Sequence, residues 1–489
     1  MPSFPILVVL ITYGLILFAI GWWARRDSRT VAGYYVADKQ LPSWVIAFSS
    51  NATGESAWLL LGLTGMGYAV GVHAFWVILG EVLGVALGWT LVALPFKAFA
   101  DRYDAITVPD YLEQRFRDHT HVFRWLGLII IFTMVTAYTA AQLTATGKAF
   151  NAFVGTTYEA GVILGAIIIL YYTGVGGFKA VAYSDVLQGV LMFLGLAILP
   201  FVGFIAVGGW DAVMNGLQLA DPSLLRPMGS FGLSGAGIAS AVGFVAIGFA
   251  FLGAPQLLTR WVAARDRKEI IDGGVIAVAC VIVFDIGAVF AGMAGRVLFP
   301  GLLDSETILP TMAAELMPAV FTGVFLVIVL AASMSTVDSL LILVSSSVAR
   351  DVVQKVFRPD LPEKTVAMIG KLATVAIGVG AVALAIPQVR VIFWFVLFAW
   401  SGLASAFAPV VLCSLFWKRT TRAGAIAGMV AGFAMAMVWA LWLKGLFYDL
   451  YEMIPGFAAG FAATVIVSLM TDPPSQEIQD EFDEIKQAI

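Results

Sequence analysis

The residues able to hold an ion or a proton lie mostly inside apolar sequence. Asn51-Ala52-Thr53-Gly54-Glu55-Ser56-Ala57-Trp58 places an amide, hydroxyls, a glycine and a carboxylate within an apolar run from near Leu41 to Val70. Asn, Thr, Gly and Ser are weak or neutral helix formers. A Glu at the centre of a bilayer costs several kcal/mol. A span with this composition is expected to be broken there and to line a polar cavity, and the carbonyls freed by such a break suit a hard cation. A second polar stretch, Ala331 to Ser339, puts Ala332, Ser335 and Thr336 at i, i+3 and i+4, on one helix face. One carbonyl and two hydroxyls can ligate sodium. They can equally bond back to the preceding turn or pack between helices. Two such patches on separate spans favour the ion, because both can close around it.

Five acids fall within apolar runs: Glu55, Glu81, Asp185, Asp285 and Asp338. Intramembrane carboxylates are functional candidates by default. Asp185, near the start of its span, either lines an ion exit or faces water. Asp338, next to Ser335 and Thr336, reads as a hydrogen-bond hub. Asp285 reads as a structural carboxyl paired with a neighbouring hydroxyl. Glu81 can sit near an interface. Trp58 either floors a pocket or packs in a core. Tyr138, with Thr136, Thr139 and Gln142, makes a polar stripe that is a pocket wall or ordinary interhelical bonding. His73, His119 and His121 make no metal set, Cys280 and Cys413 read as small hydrophobes, and no phosphate-binding loop points to direct ATP use.

The elements that must position these groups follow from composition. The chain has 489 residues, 60% hydrophobic and 12% charged, against about 25% charged in soluble domains. This is an all-α polytopic membrane protein, with the lipid bilayer as its environment and nothing that points to an enzyme, nucleic acid or an obligatory protein partner. Runs long enough to span occur near 4–24, 42–70, 74–99, 122–150, 157–174, 181–208, 236–261, 271–297, 315–347, 367–386, 390–416, 422–443 and 453–470, thirteen in all. The first, followed by Arg25-Arg26, reads as a retained span rather than a cleaved signal. With the N-terminus outside, the outer segments keep only Lys148, Arg226, Arg296, Arg390 and Lys444 of the 28 Lys and Arg. The positive-inside rule then puts the C-terminus in the cytoplasm of a multi-pass inner-membrane protein. Residues 1–470 read as one transmembrane domain, and 471–489 as an acidic, solvated cytoplasmic tail with at most a short helix.

Gly33-Tyr34-Tyr35-Val36-Ala37, Leu41-Pro42-Ser43-Trp44 and Gly54-Glu55-Ser56-Ala57-Trp58-Leu59-Leu60-Leu61-Gly62 resemble the opening of sodium:solute symporters. So do Thr107-Val108-Pro109-Asp110-Tyr111-Leu112, Gly176-Gly177-Phe178-Lys179-Ala180-Val181 with Asp185 and Gln188, Gly253-Ala254-Pro255-Gln256 through Arg260, and Met334-Ser335-Thr336 with Asp338-Ser339. These motifs run in order from about residue 3 to 470, and within the family the bacterial sodium/proline symporters are most similar. The resemblance implies a LeuT-like core of two inverted five-helix repeats, about 42–208 and 236–416, with one extra helix in front and two behind. It implies Na+ as coupling ion and no organic cofactor. The implied sodium ligands are the carbonyls of Ala52, Glu55 and Ala332 and the hydroxyls of Ser335 and Thr336, with Asp185 on the exit path. The implied substrate site is Thr53, Gly54, Glu55, Trp58, Tyr138, Gln142, Ile247 and Phe251. The relatives' pocket aspartate falls here at Gly54, and their seventh-span Trp and Tyr fall at Ile247 and Phe251. The expected activity is uptake of a small organic solute, an amino acid such as proline or a related compound, driven by inward sodium flow. Proton coupling through Glu55, another solute (carboxylate, sugar, vitamin) and a substrate-sensing module stay open as alternatives, while the paired breaks disfavour a passive channel.

Overall fold

The computed structural model describes residues 4–387 and 392–489. Arg390, counted among the outer charges, and the start of the 390–416 run lie outside the described residues. Among those described, the chain is helical, with one isolated β-bridge between Leu41 and Ala264.

The main helices are α1 (Phe4–Ala24), α2 (Ser43–Ala57), α3 (Phe75–Leu87), α4 (Val122–Val154), α5 (Tyr158–Val207), α6 (Gly235–Ala246), α7 (Pro255–Ala263), α8 (Arg267–Leu298), α9 (Ala319–Ser346), α10 (Glu363–Ala385), α11 (Ile392–Phe416), α12 (Arg422–Val438), α13 (Met453–Met470) and α14 (Gln476–Gln487). Eleven helical runs among the described residues are long and apolar enough to cross a membrane. Two of them, Ser43–Arg102 with 60 residues and Tyr158–Val207 with 50, exceed what one crossing needs. Each is divided by a glycine at positive φ, Gly71 at 57° and Gly177 at 62°. At Gly177 a Cβ would lie 2.6 Å from the Tyr34 ring, so the turn and the close packing both require glycine.

Two helices lose their regular hydrogen bonding halfway. α2 reaches Ser56, whose φ of 55° and ψ of −172° are non-helical, before a wider-wound turn, Trp58–Leu63, and a further helix, Thr64–Val70, carry it on. α6 passes into a tighter turn, Ile247–Leu252, then non-helical backbone at Gly253 and extended backbone at Ala254, and Pro255 opens α7. Proline suits that first position because its missing N–H would be unpaired there anyway. The far ends of these two broken helices are tied: Leu41 N–H donates to Ala263 O and Arg265 N–H to Leu41 O, both at 3.0 Å.

α9 and α11 are buried along most of their length and α2 packs on α8, α9 and α5. By contrast α1 turns Ile11, Leu15, Phe18 and Trp22 outward, as a lipid-facing helix does. The tail is not simply solvated. α14 buries Phe482 and Ile485 against the body, while Glu481 pairs with Arg117 at 2.7 Å and Asp483 with Lys418 at 2.8 Å. Its acidic face masks an apolar stripe at i and i+3, which a charge count does not register.

Candidate functional site

The break in α2 is held open by α4. Gln142 accepts the Ala57 N–H at 3.1 Å and donates to Ser56 Oγ at 3.2 Å, and the Tyr138 hydroxyl reaches the same Oγ at 3.5 Å. Ser56 Oγ in turn accepts the Trp58 N–H at 3.1 Å. The positive φ at Ser56 is therefore fixed by side chains that replace the lost helical bonds.

α9 faces that break with its two hydroxyls. Ser335 Oγ donates to Ala52 O at 2.9 Å and lies 3.1 Å from Ala332 O. Thr336 Oγ1 lies 3.2 Å from Thr53 O and 3.3 Å from Ala332 O. Four of the five expected sodium ligands thus meet in one patch of oxygens. The fifth, the Glu55 carbonyl, accepts the Trp58 N–H, and the Thr53 carbonyl stands beside Thr336 instead. Neutral hard oxygens in this number suit a monovalent cation of sodium's size.

Below the patch, Arg260 of α7 organises a buried polar network. Its guanidinium donates to Thr53 Oγ1 at 2.7 Å, Ser49 Oγ at 3.2 Å, Asp185 Oδ2 at 3.4 Å, Gln256 O at 2.6 Å and Ser339 Oγ. Ser49 donates to the same Asp185 oxygen at 2.6 Å. Asp185 is fully buried, so it does not meet water in this conformation. Asp338 is the expected hub, accepting from Tyr172 at 2.8 Å and Ser339 at 3.1 Å. Arg260 and Ser339 stand in motifs that carry the family resemblance, but residue type alone assigns them no role, and Ser49 carries no signal of its own.

Above the patch lies an aromatic chamber. Trp58 stacks on Phe393 at 5.4 Å between ring centroids, Tyr138 meets Trp400 edge-on at 6.3 Å, and Phe251 meets Trp400 at 5.5 Å. A Cβ at Gly54 would come within 3.0 Å of Phe251. Ile247 contributes backbone as well as side chain, its carbonyl accepting the Trp400 indole N–H at 3.2 Å. Phe393 is positioned by Glu306, whose carboxylate accepts the Phe393 N–H at 2.9 Å at the start of α11, where the helix dipole favours an anion. A cavity of about 430 Å³ lined by Met66, His73, Phe244, Ile247 and Tyr451 opens above this chamber. Trp400 and Phe393 were missed from sequence because a Trp or Phe in an apolar run carries no sign of facing a pocket. Thr136 does not join the wall: it bonds Phe132 O in its own helix.

One reading of the acids is corrected: Asp285 has no hydroxyl partner, and both its oxygens are buried. Glu81 is 2% exposed. Both lie beside Glu55, whose carboxylate is likewise buried and unpartnered. Helix α8 packs on both α2 and α3, and no single segment reveals that meeting.

A broken helix facing a buried oxygen patch on α9, with a second broken helix packed beside it, is the layout of an ion-coupled transporter. The fold is shared with a Na+-coupled sialic acid symporter, whose structure superposes with a TM-score of 0.83 at 20% identity, covering 97% of this chain and 99% of that one. MhsT in complex with L-phenylalanine superposes at 0.53 with 15% identity, covering 87% and 97%. The model of the sodium:solute symporter family matches residues 34–432, and the chain belongs to that family. Among its relatives are the high-affinity proline transporter PutP of Bacillus subtilis, 33% identical over 96% of this chain and 98% of that protein, and a sodium/proline symporter of Staphylococcus aureus, 30% identical over 99% and 96%.

Proposed function

We propose that this symporter couples inward sodium flow to uptake of proline or a closely related small amino acid. The observation that carries the reading is the meeting of the Ala52, Thr53 and Ala332 carbonyls with the Ser335 and Thr336 hydroxyls between α2 and α9. A sodium ion seated there replaces hydroxyl-to-carbonyl bonds with ion-to-oxygen bonds to both helices. It thereby fixes the broken segment that floors the aromatic chamber. Linkage then requires that substrate raise sodium affinity by the factor that sodium raises substrate affinity. One sodium ion moving inward gains about 2.3 kcal/mol per 100 mV of membrane potential. The chamber bounded by Trp58, Tyr138, Phe251, Phe393 and Trp400 suits a compact apolar ring bearing a cationic amine. Proline transport by the full-length relatives supports that choice. Thr53, Gly54 and Gln142 complete the proposed wall.

In this reading the 60- and 50-residue runs each cross twice, giving thirteen spans with the N-terminus outside and the C-terminus cytoplasmic. Residues 42–208 and 236–416 form the two inverted repeats. Support comes from the paired breaks near Ser56 and Gly253 and from the clustering of Lys and Arg at one end. Asp185 receives sodium on its way to the cytoplasm once Arg260 releases it.

The test is thermal stabilisation of purified protein by proline with and without sodium. Sodium is expected to raise the melting temperature and to strengthen the effect of proline. Ser335→Ala and Thr336→Ala are each expected to remove sodium's strengthening of the proline effect. If both variants respond to sodium as the parent does, the assigned site is wrong.

A further inference from the structure

Glu55, Glu81 and Asp285 come from α2, α3 and α8 and meet in the protein interior, one carboxylate oxygen of each within 4.8 Å of the other two. Glu55 and Asp285 are 0% exposed. Both oxygens of Glu55, both of Asp285 and Oε2 of Glu81 are buried without a hydrogen-bond partner outside the three. Three carboxylates in such surroundings cannot all stay charged and unaccompanied, because each loses its hydration and repels the others. Buried polar groups left this bare call for a ligand that supplies positive charge.

No cation of the surrounding helices supplies it. Arg260 is engaged with Asp185 and its hydroxyl partners, and Arg296 lies over the Tyr68 ring. Lys268, Arg267 and Asp272, at the start of α8, are exposed, and Glu269 caps Ser43 at 2.6 Å. Asp338 is held by Tyr172 and Ser339. The titratable hydroxyls facing the cluster are Tyr138, bonded to Ser56, and Tyr451, bonded to Leu397 O at 2.8 Å.

The spacing fits a metal ion. Oxygens bound to a hard cation of calcium's size, which is also sodium's, sit about 2.3–2.6 Å from it. Two ligands on opposite sides of such an ion are therefore separated by about the span observed here. We propose that Glu55, Glu81 and Asp285 form a second site for a hard cation of sodium's or calcium's size, separate from the Ala52–Ser335–Thr336 patch. The inference rests on the sodium-coupled reading above and adds a second ion to it.

The location gives the site leverage on both broken helices. Glu55 immediately precedes the break at Ser56. Glu81 lies beside Gly80, which packs so tightly that a Cβ there would approach Val245 O at 2.4 Å, just ahead of the Ile247–Leu252 turn. An ion drawing the three carboxylates together pulls α2 and α3 toward α8 at the level of both breaks.

The experiment uses the full-length protein in detergent, with bound 22Na+ and 45Ca2+ counted per chain against a potassium chloride control. The parent is expected to bind two ions, one at each site: two sodium ions, or one sodium and one calcium. The isosteric variants Glu81→Gln and Asp285→Asn are expected to bind one sodium ion and no calcium. Ser335→Ala combined with Thr336→Ala is expected to keep one ion, held by the carboxylates. A parent that binds a single sodium ion, lost on changing Ser335 and Thr336, and no calcium overturns this site and leaves the first reading standing. Both carboxyl variants binding ions as the parent does also overturns it. A parent that binds neither ion overturns both readings.

Discussion

At Arg260 one guanidinium gathers groups from four helices: Ser49 and Thr53 of α2, Asp185 of α5, Ser339 of α9 and the Gln256 carbonyl of its own α7. Its side chain is 1% exposed and that of Asp185 is 0%. Removing one partner of a buried pair strands the other charge and costs about 3–5 kcal/mol. Arg260→Ala should therefore lower the melting temperature of the detergent-purified protein sharply. Arg260→Ala with Asp185→Asn should recover much of the loss, because the stranded charge is gone. A double variant no more stable than the single one would sink this account. At this scale, legibility in the sequence followed local spacing. Ser335 and Thr336 could be paired with Ala332 because i, i+3 and i+4 define a helix face. Asp285 could not be paired correctly, because its neighbours Glu55 and Glu81 lie more than two hundred positions earlier and reach it only through the packing of three helices. Glu55 stood out by its cost in an apolar run, yet nothing in that run identified its companions.

The breaks in α2 and between α6 and α7 show how far composition can foretell an element's shape. Asn, Thr, Gly and Ser in succession announced the first break, but its placement at Ser56 depends on Gln142 and Tyr138 of α4. The second lay in an almost uniformly apolar run, where Gly253 and Pro255 were the only local punctuation. What fixes it is backbone-to-backbone contact with α3. A Cβ at Gly84 would lie 2.2 Å from Gly248 O, and one at Gly248 would lie 1.9 Å from Gly80 O. Carbonyl oxygens cannot rotate aside as side-chain ends do. Gly84→Ala should therefore displace the Ile247–Leu252 turn at a cost of about 1–3 kcal/mol, the usual range for overpacking. Because that turn carries Ile247 and Phe251, proline affinity should fall along with the melting temperature. Gly174→Ala, where an added Cβ meets nothing within 4 Å, is the control and should move neither. A Gly84→Ala protein with parental melting temperature and proline affinity would show that the contact is softer than its geometry implies.

Across the whole molecule, the Lys- and Arg-rich end is closed by ion pairs that join distant parts of the chain. Arg124 of α4 donates to Asp110 at 2.6 Å, to Glu113 at 2.7 Å and to Asp351, beyond α9, at 2.9 Å. α14 lies over the same end through Glu481 and Phe482. In a transporter this layer must separate before anything leaves on that side, so its strength helps set which face is open. Asp110, in the short helix Val108–Arg115, gives a way to measure it. Burial pushes its carboxyl up, but Arg124 and Arg350 outweigh burial and hold it below the ordinary carboxylate range. A carboxyl depressed on folding contributes stability above its unfolded value, near 3.9, and loses it as pH falls through the lower folded value. Asp110→Asn removes that contribution at every pH. At about pH 7 the variant should be less stable than the parent by about 2 kcal/mol, the scale of hydrogen bonds to charged groups. On acidification below about pH 4 the parent should lose its advantage and the two melting curves should converge. A gap of constant size from neutral to acid pH would mean that Asp110 acts through shape and neutral hydrogen bonds. The closure of this end would then owe little to its charge.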